Sequence, residues 1–329
     1  MSRKSLNIRS RMKMMAMRAF SVHRPDGRPD IFIFSTPRSG STWLMELFMS
    51  QPGFKYCDEP FNIRTRAVRE LSGIADWRDL FASDAESSIE PYIRSFINGR
   101  PCHARLKHAL PLGKDYRPVT RRIVFKILHT GKDRMDWFQH RFNAKIVYML
   151  RHPIPVALSR RTYPRLEVMR QTPFARHFSS EQLRLADEII ENGSRLQRGV
   201  LSWCLQNKIP LSRPEKEWIV VTYEQLVVDP IPIVDRLMTG CQLNERNAMI
   251  ARLPYPSETT WQSDDITKEK FNKKSVPNTW FIEKWRDKVD DKEEKQAMDI
   301  LLSFDIEAYR YGSFLPSDDL WIGNGNRAI

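Results

Sequence analysis

Arg38, Ser39, Gly40, Ser41 and Thr42 fall within the eight residues Ser35-Thr36-Pro37-Arg38-Ser39-Gly40-Ser41-Thr42. An apolar run, Ile31-Phe32-Ile33-Phe34, leads in, and Trp43-Leu44-Met45-Glu46-Leu47 reads as a helix leading out. A strand that breaks into a small, hydroxyl-rich turn and then a helix gathers backbone N–H groups around one point. The helix dipole favours negative charge there. Gly40 permits close backbone approach, while Arg38 and the hydroxyls add donors, so the chemistry indicated is anion binding. The loop departs from the GxxxxGK[ST] pattern: its first glycine is missing, Arg38 precedes the single glycine, and no lysine follows. A magnesium-dependent nucleotide triphosphatase also needs a strand-end aspartate, but the run 145–150 ends in Arg151. No metal is expected.

Arg151 opens a second candidate anion site. It ends an apolar strand, Pro153 suits a first helical turn, and Ser159 lies about two turns further on. A guanidinium and a hydroxyl could there share one phosphate, so the ligand would carry phosphate at two places. Lys126 sits inside the otherwise apolar run 123–128. An ammonium in a buried-strand pattern is costly unless it is paired or used.

The elements that must position these groups follow from periodicity. Four short, β-rich apolar runs read as buried strands: 31–34, 123–128, 145–150 and 218–223. Helical patterns cover 40–51, 153–162, 181–207, 230–240 and 291–304. Strands and helices in alternation predict an α/β fold, a central mostly parallel sheet flanked by helices, with ligands at the carboxyl ends of the strands.

Composition narrows the class. The 329 residues carry 53 Lys+Arg against 40 Asp+Glu, a net charge of +13 that points to an anionic partner. No helix-turn-helix, zinc or RNA-recognition signature is present, so no nucleic acid is expected. Residues 1–29 form a basic, methionine-containing arm, read as a solvated terminus or a short amphipathic helix on an acidic membrane surface. It also has the Arg-rich, acid-poor look of an organelle transit peptide. No run of 18 apolar residues occurs. The cysteines at 57, 102, 204 and 241 have no paired spacing. Together these favour a cytoplasmic protein with reduced thiols, touching at most the inner membrane surface.

The stretches "TPRSGSTWL" (36–44) and "LRHPIPVALSRR" (150–161) resemble the two phosphate-binding segments of the sulfotransferases that use 3′-phosphoadenosine-5′-phosphosulfate (PAPS). The first is similar to their 5′-phosphosulfate loop and the second to their 3′-phosphate strand and helix. "WIVVTYEQLVVDPIPIVDRLM" (218–238) and "WFIEKWRDKVDDKEEKQAMDILLSFDIEAYRYG" (280–312) extend the likeness in the right order. An arginine in the loop looks more like the carbohydrate-directed branch than the small-phenol branch.

The resemblance implies a P-loop-like sulfotransferase domain over 30–312, a tail over 313–329, and an acceptor-site cover over 160–198. PAPS would be the donor and adenosine 3′,5′-bisphosphate (PAP) the product. The acceptor would be a hydroxyl, of a saccharide or glycolipid. By motif position, Arg38 to Thr42 would hold the 5′ phosphate and the sulfuryl group, and Arg151 and Ser159 the 3′ phosphate. Trp43 and Tyr223 would contact adenine, and Lys273 and Lys274 would close over the 3′ phosphate.

Sulfuryl transfer further needs a cation near the leaving oxygen and a base for the acceptor hydroxyl. Lys126 fits the first. Glu59, in "YCDEPFN", fits the second, because shielding from water can lift a carboxylate toward neutral pH. His129 is its rival, but three residues beyond Lys126 a continuous strand would turn it to the opposite face. A small-molecule kinase and an inactive nucleotide-binding relative are the alternatives.

Overall fold

The computed structural model describes residues 22–98, 106–107, 118–213, 217–255, 257 and 278–323. Strands β1 (Val22–His23) and β5 (Val119–Thr120) form a small parallel pair. The main sheet has the order β4-β3-β6-β2-β7-β8, from β2 (Ile31–Ser35), β3 (Phe54–Asp58), β4 (Leu106–Lys107), β6 (Arg122–Ile127), β7 (Lys145–Leu150) and β8 (Ile219–Thr222). Every neighbour pair is parallel except β3 with β4. This is the mostly parallel, helix-flanked α/β sheet that the apolar runs predict.

Those runs are unbroken because both faces are covered. On one face Phe32, Phe34, Phe125, Tyr148 and Leu150 pack with helices α3 (Glu86–Ile97), α4 (Met135–Phe142) and α8 (Arg195–Leu211). Phe32 and Phe125 stack there at 4.6 Å. On the other face Ile31, Ile33, Val124, Val147 and Met149 meet α1 (Ser41–Met49) and α10 (Pro230–Gly240).

Three elements differ from expectation. β3 does not stand out in the sequence, since Lys55 interrupts its apolar pattern, yet it pairs with β6 in full register. The helix expected over 181–207 is two helices, α7 (Ser180–Asn192) and α8. The Ser194 hydroxyl accepts a hydrogen bond from the backbone N–H of Gln197, and the Ser194 N–H donates in return to Gln197 Oε1, a capping box that starts α8 afresh. The helix expected over 153–162 ends at Leu158, as α5 (Pro153–Leu158), which leaves Ser159 as its cap.

Parallel pairing brings the ends of β2, β3, β6, β7 and β8 to one edge of the sheet. Asp58 lies opposite Lys126, and Ser35 opposite Met149. The residues after each strand share one crevice.

Candidate active site

The loop between β2 and α1 closes with a hydrogen bond from the Ser39 N–H to the Thr36 carbonyl, 3.2 Å. Arg38 and Gly40 both take left-handed backbone angles, φ 79° and 88°. Such a turn aims successive N–H groups at one place, as an oxyanion requires. The Ser39 hydroxyl is buried and has no hydrogen-bond partner. The cradle therefore holds an unused donor, which fits a bound phosphate or sulfate.

Arg151, the first residue after β7, ties a second element to this loop. Its Nη1 donates to the Arg38 carbonyl at 3.1 Å, and its guanidinium lies 4.0 Å over the Tyr223 ring. Its Nε is buried without a partner. Trp43 meets Tyr223 edge-on at 6.2 Å, so two aromatic rings and a guanidinium stand beside the cradle. Tyr223 is the first residue of α9 (Tyr223–Val228), directly after β8. Arg38 is exposed as a whole residue, yet desolvation by the surrounding protein and the like charge of Arg151 lower its pKa. Ser159 is already engaged, its hydroxyl donating to the Val156 carbonyl at 2.9 Å. Lys273 and Lys274 lie outside the described residues.

Lys126 is the hub of the remaining candidates. Its Nζ donates to Thr42 Oγ1 at 3.0 Å and pairs with Asp58 at 2.6 Å and Glu59 at 3.5 Å. One ammonium thus joins the cradle to two carboxylates. Glu59 has φ 51°, and its N–H bonds the Lys126 carbonyl at 3.0 Å. That fixes its side chain between Lys126, Asn62 (2.8 Å) and His129 (3.3 Å).

Two expectations about this group are corrected. Burial does push the Glu59 carboxyl up, but His129, Lys126 and Asn62 together hold it well below the usual carboxylate range. It is an ion-paired anchor, not a carboxylate lifted toward neutrality. Strand alternation does not separate His129 from Lys126, because β6 ends at Ile127 and the following turn swings the ring to Glu59. Burial pushes the His129 ring down to about 4, with Arg165 and Arg160 adding to the effect and Glu59 opposing it. The ring is neutral at physiological pH. Its Nε2 faces Glu59, while its Nδ1 is buried and has no partner.

Several residues around the site carry little or no signal in the sequence. Beneath the loop, Lys132 Nζ donates to Thr36 Oγ1 (3.1 Å) and Asn207 Oδ1 (2.6 Å), and the Tyr148 hydroxyl donates to the same Asn207 oxygen (2.8 Å). Behind Arg151, the His152 ring stacks on Trp285 at 4.8 Å. The His152 N–H and the Tyr309 hydroxyl both bond the buried Glu224 carboxyl, each at 2.9 Å. Asn207 was detectable only as a polar residue four positions after Trp203, on the buried face of an otherwise apolar helix. Among the described residues, no group of three or more His, Cys, Asp or Glu could hold a metal ion.

A cradle for one anion, a guanidinium and aromatic rings at its side, and a lysine–carboxylate–histidine group across it define a group-transfer site at the strand ends of an α/β sheet. The family model described as the sulfotransferase domain matches residues 28–300. The chain belongs to the sulfotransferase family and is a transferase of that class. No curated protein matches the sequence.

Three solved structures align over most of the chain. The sulfotransferase domain of the Synechococcus PCC 7002 olefin synthase is 20% identical, with 77% of this chain and 91% of that one covered and a TM-score of 0.38. Mouse sulfotransferase SULT7A1, complexed with PAP, is 16% identical, with coverage of 78% and 72% and a TM-score of 0.36. A retinol dehydratase in complex with androsterone and the inactive cofactor PAP is 16% identical, with coverage of 90% and 85% and a TM-score of 0.34.

Proposed function

We propose that the protein transfers a sulfuryl group from PAPS to a hydroxyl of a saccharide or glycoconjugate. The observation that carries this reading is the position of Lys126, bonded at once to Thr42 of the anion cradle and to the Asp58 and Glu59 carboxylates. PAPS supplies an activated sulfuryl group, whose bond to the 5′-phosphate oxygen breaks as the acceptor oxygen–sulfur bond forms.

The chain's own residues have separate tasks. The loop N–H groups, the Ser39 hydroxyl and Arg38 bind the 5′ end. Arg151 takes the 3′ phosphate through its free Nε, and Trp43 and Tyr223 hold the adenine. Lys126 counters negative charge that develops on the bridging oxygen. His129, with Nε2–H directed at Glu59, accepts the acceptor proton at Nδ1. Glu59 orients the ring and stabilises the imidazolium, which removes the need for a carboxylate base.

The saccharide assignment leans on Arg38, the residue type that the carbohydrate-directed branch carries in this loop. We take 30–312 as one catalytic domain, with 160–198 over the acceptor. A cytoplasmic site of action is supported by the buried free thiols of Cys204 and Cys241. Among the described residues, no helix is long and apolar enough to cross a membrane.

Calorimetric titration with PAP in the absence of metal tests the donor assignment. Micromolar binding is expected, and Arg151→Ala should weaken it by at least about tenfold, about 1.4 kcal/mol. Radiolabelled PAPS and a set of saccharide acceptors then test the transfer. Absence of PAP binding, with magnesium-dependent ATP binding in its place, would return the kinase reading.

A further inference from the structure

Two buried guanidinium groups beside His129 have no carboxylate partner among the described residues. Arg165 is 3% exposed and Arg160 8%. Arg165 donates from Nη1 to the Leu128 carbonyl at 2.7 Å and from Nη2 to Gln206 Oε1 at 3.3 Å. Its Nε is buried with no partner at all. Arg160 donates from Nη1 to the Ser202 hydroxyl at 3.3 Å and lies 4.8 Å over the Tyr163 ring.

These cations adjoin the proton-accepting histidine. Leu128, which Arg165 grips, is the residue before His129. The Trp77 ring contacts both, 5.3 Å from the His129 ring and 5.7 Å from the Arg165 guanidinium. Arg64, bonded to the Thr162 hydroxyl at 3.3 Å, adds a third cation from the segment after Glu59. Glu59 attracts Arg165 from a distance, but its close pairs are Lys126 and His129.

Neutral hydrogen-bond acceptors satisfy N–H groups but leave the net charge, and a buried charge without a counterion is expensive. A planar guanidinium with a free N–H is also the donor geometry that a carboxylate or sulfate matches. We propose that Arg165 and Arg160 bind an anionic group of the acceptor, a carboxylate or sulfate ester, and so deliver its hydroxyl to His129. This rests on the sulfuryl-transfer reading and names the acceptor class: an acidic hydroxyl compound. The anion supplies a counterion that none of the described residues provides as an ion pair, and a neutral acceptor would leave Arg165 desolvated and unpaired.

The test follows the Arg165 Nε–H resonance in arginine-labelled full-length protein saturated with PAP, at constant ionic strength. The probes are sodium sulfate, glucuronate and the neutral methyl ester of glucuronate. A saturable downfield shift with the two anions is expected, weakened by at least about fivefold in Arg160→Gln and absent with the ester. Glucuronate binding more tightly than sulfate would mark an acidic saccharide as the source of the anion, and equal binding would make the oxyanion alone the determinant.

Arg160→Gln is preferred to an Arg165 variant, whose loss of the Leu128 and Gln206 contacts could unfold the site. PAP affinity should be the same in wild type and Arg160→Gln. No saturable shift, or a shift as large with the ester, would overturn the proposal. PAP binding without any anion effect would sink this inference alone. An anion effect at Arg165 without PAP binding would sink only the donor assignment.

Discussion

The Tyr223 ring fills the space above Gly40: a β-carbon built on that glycine would stand 2.5 Å from the ring's Cδ2. The same glycine takes φ 88°. Two independent constraints, one of conformation and one of space, therefore demand glycine where the loop turns into α1. They also tie the anion cradle to the aromatic wall that Arg151 stacks on.

Gly40→Ala should then damage both stability and donor binding. The left-handed conformation alone costs a residue with a β-carbon about 1–2 kcal/mol, and the Tyr223 ring must also move. The expected result is a lower melting temperature and PAP affinity reduced by at least about tenfold, read by thermal unfolding and calorimetry. Unchanged affinity would show that the cradle does not depend on the Tyr223 contact.

Lys126→Met keeps the length and volume of the side chain in its strand but removes the charge shared by Thr42, Asp58 and Glu59. A lost electrostatic contact to developing charge lowers kcat by about 10²–10³-fold. The acceptor KM should change far less, a split that steady-state kinetics with radiolabelled donor would reveal. Equal effects on KM and kcat would place Lys126 in binding instead.

His129 and Glu59 make separable predictions. His129→Ala should lower kcat by about 10²–10⁴-fold, the usual value of a positioned base, with PAP binding preserved. Glu59→Gln should be milder, because the ring remains and only its orientation and charge support are lost. Since His129 is pushed down to about 4, wild-type kcat/KM should stay flat from neutral pH to well below 6.5 and fall only near the lower value. An acid limb near 6.5, or a larger loss in Glu59→Gln than in His129→Ala, would contradict the assignment.

His152 carries a stability signature. Burial pushes its ring down to about 3, against an ordinary value of 6.5. Its folded value is the depressed one, so below 6.5 the unfolded chain takes up a proton that the folded chain refuses. Stability from this group is present above 6.5 and is lost as pH falls toward the folded value. The stability difference between wild type and His152→Asn should therefore shrink by about 2 kcal/mol between pH 7 and 5. Urea unfolding at the two pH values checks this, and a difference independent of pH would show that His152 titrates normally.

The fold class and the cradle were legible because they are local. Alternating strand and helix patterns, a single glycine after an arginine, and a proline after Arg151 depend on neighbours in sequence. β3 was not legible, because Lys55 breaks an apolar run whose burial only the sheet reveals. The pairing of Glu59 was not legible either: its acidity depends on Lys126 and His129, brought to it by the β3–β6 register and a turn after Ile127.

What the sequence determined by itself was the chemistry available at each strand end: an oxyanion cradle at 35–42, a guanidinium at Arg151, an ammonium at Lys126 and a carboxylate at Glu59. What only the tertiary structure decided was which groups share charge. Asp58 and Glu59 became the counterions of Lys126, whereas Arg160 and Arg165 were buried with no ion-pair partner among the described residues. The physical reason is that side-chain type and local conformation are written along the chain. The energy of a buried charge depends instead on which distant segments pack within a few ångströms of it.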